Sequence, residues 1–185
     1  QETRPSEYDY TKMTSAAIGD CVTLFDGAIF AEFTSLEEIV IPTGITTFVQ
    51  QTFRDCTNLK RCKFDKGSHL TDLGISSFSN CTSLEEFEIP NGVTEIKYQC
   101  FNNCTSLSSV KISSGVTSIS NGAFSGCEGL SSVTCLATTP PQLVEGTFND
   151  TNNCPILVPS QSVEAYKSAS GWSTYASRIQ AIPNS

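Results

Sequence analysis

Cysteine is the most prominent chemically active residue type in this chain, which contains nine cysteines and one histidine. A thiol can ligate a metal, form a disulfide, act as a nucleophile or pack as a small apolar group. Cys56, Cys81, Cys104 and Cys127 follow one another at intervals of 25, 23 and 23 residues. This regular spacing predicts that the four thiols occupy one buried column of a repeating structure, where they pack as small apolar groups.

Two other roles of the cysteines remain open. A disulfide between neighbouring members of the column is sterically feasible if adjacent strands lie ~4.8 Å apart, but the odd total argues against a complete disulfide framework. Zinc requires Cys or His ligands in closely spaced pairs, whereas these cysteines are a whole repeat apart. We therefore predict no metal site and no cofactor. We also expect Cys62 and Cys135 to be core residues, and Cys21 and Cys154 to be less buried.

Catalysis has little support in the sequence. A catalytic histidine needs a nearby nucleophile and an orienting carboxylate, and the only feature of this kind is the proximity of His69 to Asp72, which is common by chance. The chain has no Gly-rich phosphate loop, no HExxH zinc motif and no Gly-x-Ser-x-Gly nucleophile motif. We predict that the protein is not an enzyme.

An internal repeat of about 23 residues positions these side chains. Three columns define it: Leu36, Leu59, Leu84, Leu107 and Leu130; Phe53, Phe78, Phe101, Phe124 and Phe148; and the four cysteines above. The second repeat is two residues longer than its neighbours, and the extra residues lie near Ser68 and His69. The fifth repeat is degenerate, and Phe30 and Phe33 mark a partial repeat before the first.

Each column of the repeat has a physical role. The Leu-x-x-Ile-x-Ile segment alternates with the period of two that is typical of a half-buried strand. A Gly-containing turn follows, then a second extended piece with the pattern Val-Thr-x-Ile, and the Phe-x-x-Cys segment closes the coil with a helical or irregular turn. One such coil cannot bury its own apolar edge, so we expect successive coils to stack with their strands in a parallel sheet.

The repeat resembles a known family. The pattern Cys-Thr-Ser-Leu-x-x-Phe-x-Ile-Pro-x-Gly-Val-Thr-x-Ile at 81–96, repeated closely at 104–127, resembles the BspA-like leucine-rich repeats of bacterial surface proteins of the Bacteroides type. The resemblance covers about residues 28–151. It implies a β-rich solenoid of the α/β leucine-rich repeat type, a right-handed stack of about five 23-residue coils with a parallel sheet and a C-terminal cap. It also implies export to the cell surface or periplasm, and often adhesion.

The last segment, 152–185, is predicted to form that cap. Ile156-Leu157-Val158 is interpreted as a final strand that covers the open edge of the sheet. Residues 160–168 begin with a serine cap and are predicted to form a helix. A second short helix and a tail are expected around Trp172, whose side chain either packs in the cap or forms a platform for a ligand.

Most of the negative charge lies near the N-terminus. Residues 1–38 contain eight acidic and two basic residues, so they carry −6 of the net charge of −8. We interpret residues 1–27 as an acidic leader and N-terminal cap, flexible to about residue 17, that follows a removed targeting segment. The acidity argues against binding to nucleic acid or to an anionic membrane. The absence of a long apolar run excludes a transmembrane helix.

The outward strand positions supply the candidate binding surface. In a parallel register, acidic and basic residues alternate from coil to coil along this face, which stabilises the sheet through cross-strand pairs. Alternatively, the same face is a polar platform for a partner, formed by Arg61, Lys63, Glu86, Glu88 and Lys111.

Two functional hypotheses follow from this surface. The first is an adhesin-like module, expected to be monomeric, that binds a host or microbial surface protein and possibly a glycan. It would be extracellular or at the cell surface, lipid-anchored through a missing N-terminal segment, or periplasmic. The second hypothesis is a structural spacer of a larger surface protein, without a ligand of its own.

Overall fold

The structure is a computed structural model that describes residues 14–18, 24, 25 and 27–183. Its strands are short: β1 Ser15–Ala17, β2 Glu38–Ile41, β3 Arg61–Phe64, β4 Glu86–Glu88, β5 Glu95–Ile96, β6 Ser109–Ile112, β7 Ser118–Ile119, β8 Ser132–Cys135, β9 Gln142–Leu143, β10 Ile156–Val158 and β11 Ile179–Ala181. The helices of the described residues lie near the C-terminus: a 3-10 helix Ser160–Ser162, α1 Val163–Ser168 and a second 3-10 helix Trp172–Arg178.

The strand pairs are parallel and join one repeat to the next. One sheet has the order β1-β2-β3, a second has the order β4-β6-β8-β10-β11, and the two-residue strands β5, β7 and β9 form a third. The register advances by one repeat from strand to strand, so that Val110 of β6 lies beside Phe87 of β4 and Val133 of β8. Parallel sheets are therefore present as the repeat predicts, but the strands that follow the leucine column form two sheets instead of one.

The phenylalanine column forms a continuous aromatic stack inside the molecule. Neighbouring rings lie almost parallel, with centroids 5.2–5.5 Å apart, and we call the stack the phenylalanine wall: Phe30, Phe53, Phe78, Phe101, Phe124 and Phe148. Such pairs contribute about 0.5–1.5 kcal/mol each beyond the burial of their area. The wall is therefore one of the main links between repeats.

The turns that carry these rings add hydrogen bonds between repeats. The residue two positions after each ring has a positive φ, and the six residues are Glu32, Asp55, Asn80, Asn103, Gly126 and Asp150. Gly, Asn and Asp tolerate this conformation better than most residues. It turns alternate N–H groups toward the following repeat, so that the Phe53 N–H donates to the Ser77 carbonyl at 2.8 Å.

The C-terminal segment folds partly as predicted. β10 and α1 form, but β11 pairs with the outer side of β10, so β10 is not the last strand at this edge. The serine cap is absent, because residues 160–162 form a 3-10 helix and neither this helix nor α1 has a side-chain cap. Trp172 is fully buried, and its Nε1–H donates to the Pro141 carbonyl at 2.7 Å, so it packs in the cap and is not a ligand platform.

The N-terminal prediction is wrong at one point. Residues 15–17, expected to end a flexible leader, form β1, which pairs with β2 in parallel register. The Glu37 N–H also donates to the Thr14 carbonyl at 2.8 Å, because the exposed edge of β2 offers unpaired backbone groups to the preceding chain. Residues 1–13 of the predicted leader lie outside the described residues.

Candidate functional site

The two sheets meet at a break between β3 and β4. β2 and β3 pair over four residues and β4 and β6 over three, whereas β3 and β4 do not pair in the structure as described. The Glu85 N–H donates to the Lys60 carbonyl at 3.2 Å just before the two strands begin. The strands therefore start side by side and then separate, and we call the opening the β3–β4 cleft.

The extra residues of the second repeat lie next to the separation. They lie in the turn after β3, where the Ser68 N–H donates to the Asp65 carbonyl at 3.0 Å and the Leu70 N–H donates to the Ser68 hydroxyl at 3.3 Å. The turn of the next repeat packs directly on this longer turn, since a Cβ on Gly92 would lie 2.6 Å from the Leu70 oxygen. The longer turn therefore packs against the turn that follows β4, next to the point where the two strands separate.

The break exposes residues that are buried elsewhere in the array. Ile39 and Ile41 of β2 are 1% and 0% exposed, but the equivalent β3 residues, Cys62 and Phe64, are partly exposed. The expectation that Cys62 is a core residue is therefore wrong, because the neighbouring strand that would cover it is displaced. The Phe64 ring still packs edge-on against Phe87, with centroids 5.8 Å apart.

The cleft has a volume of about 760 Å³, within the range of pockets that bind ligands, ~300–1,000 Å³. Cys62, Phe64 and Phe87 contribute apolar surface to its floor. All five side chains of the predicted patch line it: Arg61, Lys63, Glu86, Glu88 and Lys111. The structure thus brings these residues together around a cavity, whereas the sequence predicts only a flat row of charges.

The charges around the cleft are paired mainly within their own sheet. Lys63 binds Glu38 at 2.9 Å on the β2 side, and Lys111 binds Glu88 at 2.7 Å on the β6 side. At the mouth, Arg61 reaches Glu85 at 3.3 Å. These side chains are about half exposed, so each pair contributes only ~0.2–1 kcal/mol. Arg61–Glu85 is thus the ion pair that crosses the break among the described residues, whereas Lys63 and Glu88, expected as lateral neighbours, each pair with a residue of their own sheet.

The opposite side of the same boundary is closed. The N–H groups of Ser76, Phe78 and Asn80 donate to carbonyls of the next repeat at 2.8–3.0 Å, and the Phe78 and Phe101 rings stack at 5.3 Å. Lys97 also binds Asp72 across the boundary at 2.5 Å. The cleft is therefore a wedge that opens between the strands and is held together at the phenylalanine wall.

The cysteine column has a contact that the sequence does not predict. Each of its thiols donates a hydrogen bond, at 3.0–3.1 Å, to a carbonyl of the phenylalanine wall in the preceding repeat, as Cys104 does to Phe78. Burial raises the pKa of the Cys104 thiol well above its ordinary value, so the thiol is a poor nucleophile. Cys154, expected to be less buried, is 4% exposed, and Cys21 lies outside the described residues.

The other candidate groups are not assembled for chemistry. His69 is exposed, and the carboxylate of Asp72 is occupied by Lys97 and by the Gly74 N–H at 2.7 Å. In the part of the chain that the structure describes, His, Cys, Asp and Glu form no cluster of three that could hold a metal. Among the helices of the described residues, none has the length and apolarity of a membrane span. The β3–β4 cleft is therefore the candidate functional site.

Comparisons with solved structures support the fold. A T. pallidum leucine-rich repeat protein has a TM-score of 0.57 and 20% sequence identity over 90% of this chain and 88% of that chain. A leucine-rich cell surface protein from Faecalibacterium prausnitzii has a TM-score of 0.30 and 18% identity over 69% of this chain and 56% of that chain. The first similarity shows the leucine-rich repeat fold. A search of curated proteins finds no match.

The family follows from the repeat itself. The model of the BspA type leucine-rich repeat region matches residues 2–131 in six copies. The match begins inside the segment interpreted as a leader, N-terminal to the limit of residue 28 expected from the sequence. Because it spans more than half of the chain, the protein belongs to the BspA type leucine-rich repeat family.

Proposed function

We propose that this protein is a non-catalytic binding module of the bacterial cell surface, with a protein partner that docks at the β3–β4 cleft. The observation that carries the proposal is the opening of the sheet. It combines a partly exposed apolar floor, formed by Cys62 and Phe64, with charged lips. Protein interfaces have the same arrangement, an apolar centre inside a polar rim.

The location and shape of the protein belong to the same proposal. We infer a right-handed solenoid of about five coils with a C-terminal cap, and a position outside the cytoplasm, as the resemblance to BspA-like repeats implies. The protein is either held at the cell surface by a lipid anchor or placed in the periplasm. Its partner is a host or microbial surface protein, and it binds as a monomer.

Binding to immobilised proteins tests the proposal. Matrix proteins, microbial surface proteins and glycans are presented on a surface, and the chain is titrated over them. We expect saturable binding to at least one protein, weakened fivefold or more by K63E or K111E, because each reversal changes the charge at a lip of the cleft. K167E is the control, since Lys167 pairs with Glu164 in the C-terminal cap and does not line the cleft.

The results separate the possible outcomes. Thermal unfolding of each variant, followed by circular dichroism, must show that the fold is retained, which the small contribution of exposed ion pairs leads us to expect. Saturable binding that K63E and K111E leave unchanged contradicts the assignment of the cleft. Binding only to glycans contradicts the assignment of a protein partner.

A structural spacer is the second candidate function, and the ion pairs favour it. Three ion pairs on the strand face neutralise their own charges, as expected of a solvated face that has no partner: Lys60–Glu37, Lys63–Glu38 and Lys111–Glu88. A spacer predicts no saturable partner on any surface. It also predicts that cell adhesion survives when this segment is replaced by other leucine-rich repeats of equal length without the cleft.

A further inference from the structure

We propose that the β3–β4 cleft receives an extended peptide segment of its partner as an inserted β-strand. This inference rests on the proposed function and names the part of the partner that enters the site. The first observation is that β3 pairs only with β2 and β4 only with β6 among the described strands, so each presents an unpaired edge to the cleft. Such edges are ready templates for an added strand.

The side chains around the two edges define what the strand must carry. Inward positions are apolar on both sides, with Cys62 and Phe64 on β3 and Phe87 on β4. An inserted strand therefore needs apolar residues at every second position. Those residues would cover the surfaces of Cys62 and Phe64 that the break leaves partly exposed.

The outward positions select against charged residues in the strand. At the open end of the cleft, an inserted residue would lie between a cation of β3, Lys63, and an anion of β4, Glu88. A charged side chain there would be attracted by one neighbour and repelled by the other, whereas Ser, Thr or Asn can hydrogen-bond to both. The complementary ligand is thus an extended peptide in which apolar residues alternate with neutral polar residues.

The geometry of the wedge allows this occupant. At the phenylalanine wall, three backbone hydrogen bonds and the Phe78–Phe101 stack link the two repeats. β3 and β4 can therefore separate further while these links remain. The cleft volume of about 760 Å³ falls within the range of ligand sites, ~300–1,000 Å³. The inserted strand enters beside Lys63 and Phe64, because the hydrogen bond from the Glu85 N–H to the Lys60 carbonyl holds β3 and β4 together where they begin.

The test uses a peptide probe with matched controls. The probe is a dye-labelled Ser-Ser-Val-Thr-Val-Thr peptide, which extends the alternation of residues 131–134 of this chain. The first control has the same sequence with N-methyl groups on alternate residues, which removes backbone donors and leaves the side chains in place. The second control is a permuted peptide that interrupts the alternation. Binding to the full chain is measured by fluorescence anisotropy.

Three results support strand insertion. The probe binds saturably, and each control peptide binds at least tenfold more weakly. Deletion of Ser68 and His69 should restore the 23-residue repeat, allow β3 and β4 to pair, and abolish probe binding. If this variant does not fold, the N-methylated peptide still tests the role of the backbone.

Other results overturn the inference. These are no probe binding at 1 mM, equal binding of the probe and the N-methylated peptide, self-association of the chain that K63E abolishes, or glycan binding that the probe does not displace. The failures of the two proposals are distinguishable. If a protein partner binds in the surface assay and K63E weakens it, but the probe neither binds nor competes, then strand insertion is wrong while the proposed function stands.

Discussion

Replacing Phe101 by Ala tests whether the phenylalanine wall couples the two sheets across the β3–β4 cleft. The Phe101 ring stacks between Phe78 and Phe124, at 5.3 Å on each side, and its contact with Phe78 crosses the boundary where β3 and β4 do not pair. Phe124 is the matched control. It is equally buried and stacks between Phe101 and Phe148, but both of its boundaries carry strand pairs.

The magnitude follows from the links at each boundary. Either substitution removes a fully buried ring, which lowers the free energy of unfolding by about 3–5 kcal/mol. The four register pairs between β6 and β8 have no counterpart between β3 and β4. At about 0.5–1.5 kcal/mol per hydrogen bond, roughly four missing bonds leave the β3–β4 boundary weaker by about 2–6 kcal/mol. F101A therefore weakens the boundary that already has the fewest links.

The assay compares two probes of urea unfolding. Trp172 is the only tryptophan and lies in the C-terminal cap, with its ring centroid 6.4 Å from that of Phe148, so its fluorescence reports the C-terminal part. Far-UV circular dichroism reports all repeats. In a repeat protein, stability is approximately a sum of repeat terms and nearest-neighbour interface terms. We expect F101A to show a dichroism transition at lower urea than the fluorescence transition, and F124A to show coincident transitions.

Two results would refute the reasoning. If the fluorescence and dichroism transitions coincide in F101A as well as in F124A, the phenylalanine wall is not the main link across the cleft. If both variants separate the probes equally, the β3–β4 boundary is no weaker than its neighbours.

Three further predictions concern the close packing of the array. G92A is expected to destabilise the protein by about 1–3 kcal/mol in urea unfolding, because its Cβ would meet the Leu70 oxygen at 2.6 Å; an unchanged midpoint would contradict this contact. W172F should cost about 1–3 kcal/mol in a dichroism-monitored melt, since the buried Pro141 carbonyl loses its donor; full stability would show that the hydrogen bond contributes little. Burial raises the pKa of the Cys100 and Cys104 thiols above the value near 9 that they have in the unfolded chain. Above pH 9 only the unfolded thiols ionise, which favours unfolding, so the protein loses stability as the pH rises. Each such thiol should lower the free energy of unfolding by about 1.4 kcal/mol per pH unit above pH 9, and C100A should reduce this slope in urea unfolding measured at several pH values.

The periodicity of the sequence predicts most of the fold because each column has one packing role in every repeat. Leu107 and Phe101 are buried as their columns require, and β6 lies where the alternating pattern places it. The C-terminal strand and helix are also predictable from their local apolar pattern. The position of β11 outside β10 is not predictable in this way, because it depends on which chain segment reaches an open edge and not on a local pattern.

The candidate site could be predicted only in part. The five charged residues are identifiable as outward strand positions, since side chains alternate along a strand. Their grouping around a cavity depends on the separation of β3 and β4, and the only sequence signal for it is the extra length near Ser68 and His69. An insertion alone does not reveal whether a turn bulges into solvent or displaces the next coil.

By itself, the sequence determined the repeat, its family, the residues of the core columns and the outward charges, because these depend on the local period and on residue type. The tertiary structure alone decided where the sheet divides. Cys62 and Ile39 occupy the same column and have the same local pattern, yet Ile39 is buried and Cys62 is partly exposed. The difference arises because the burial of a strand residue depends on the strand beside it, and β3 and β4 do not pair.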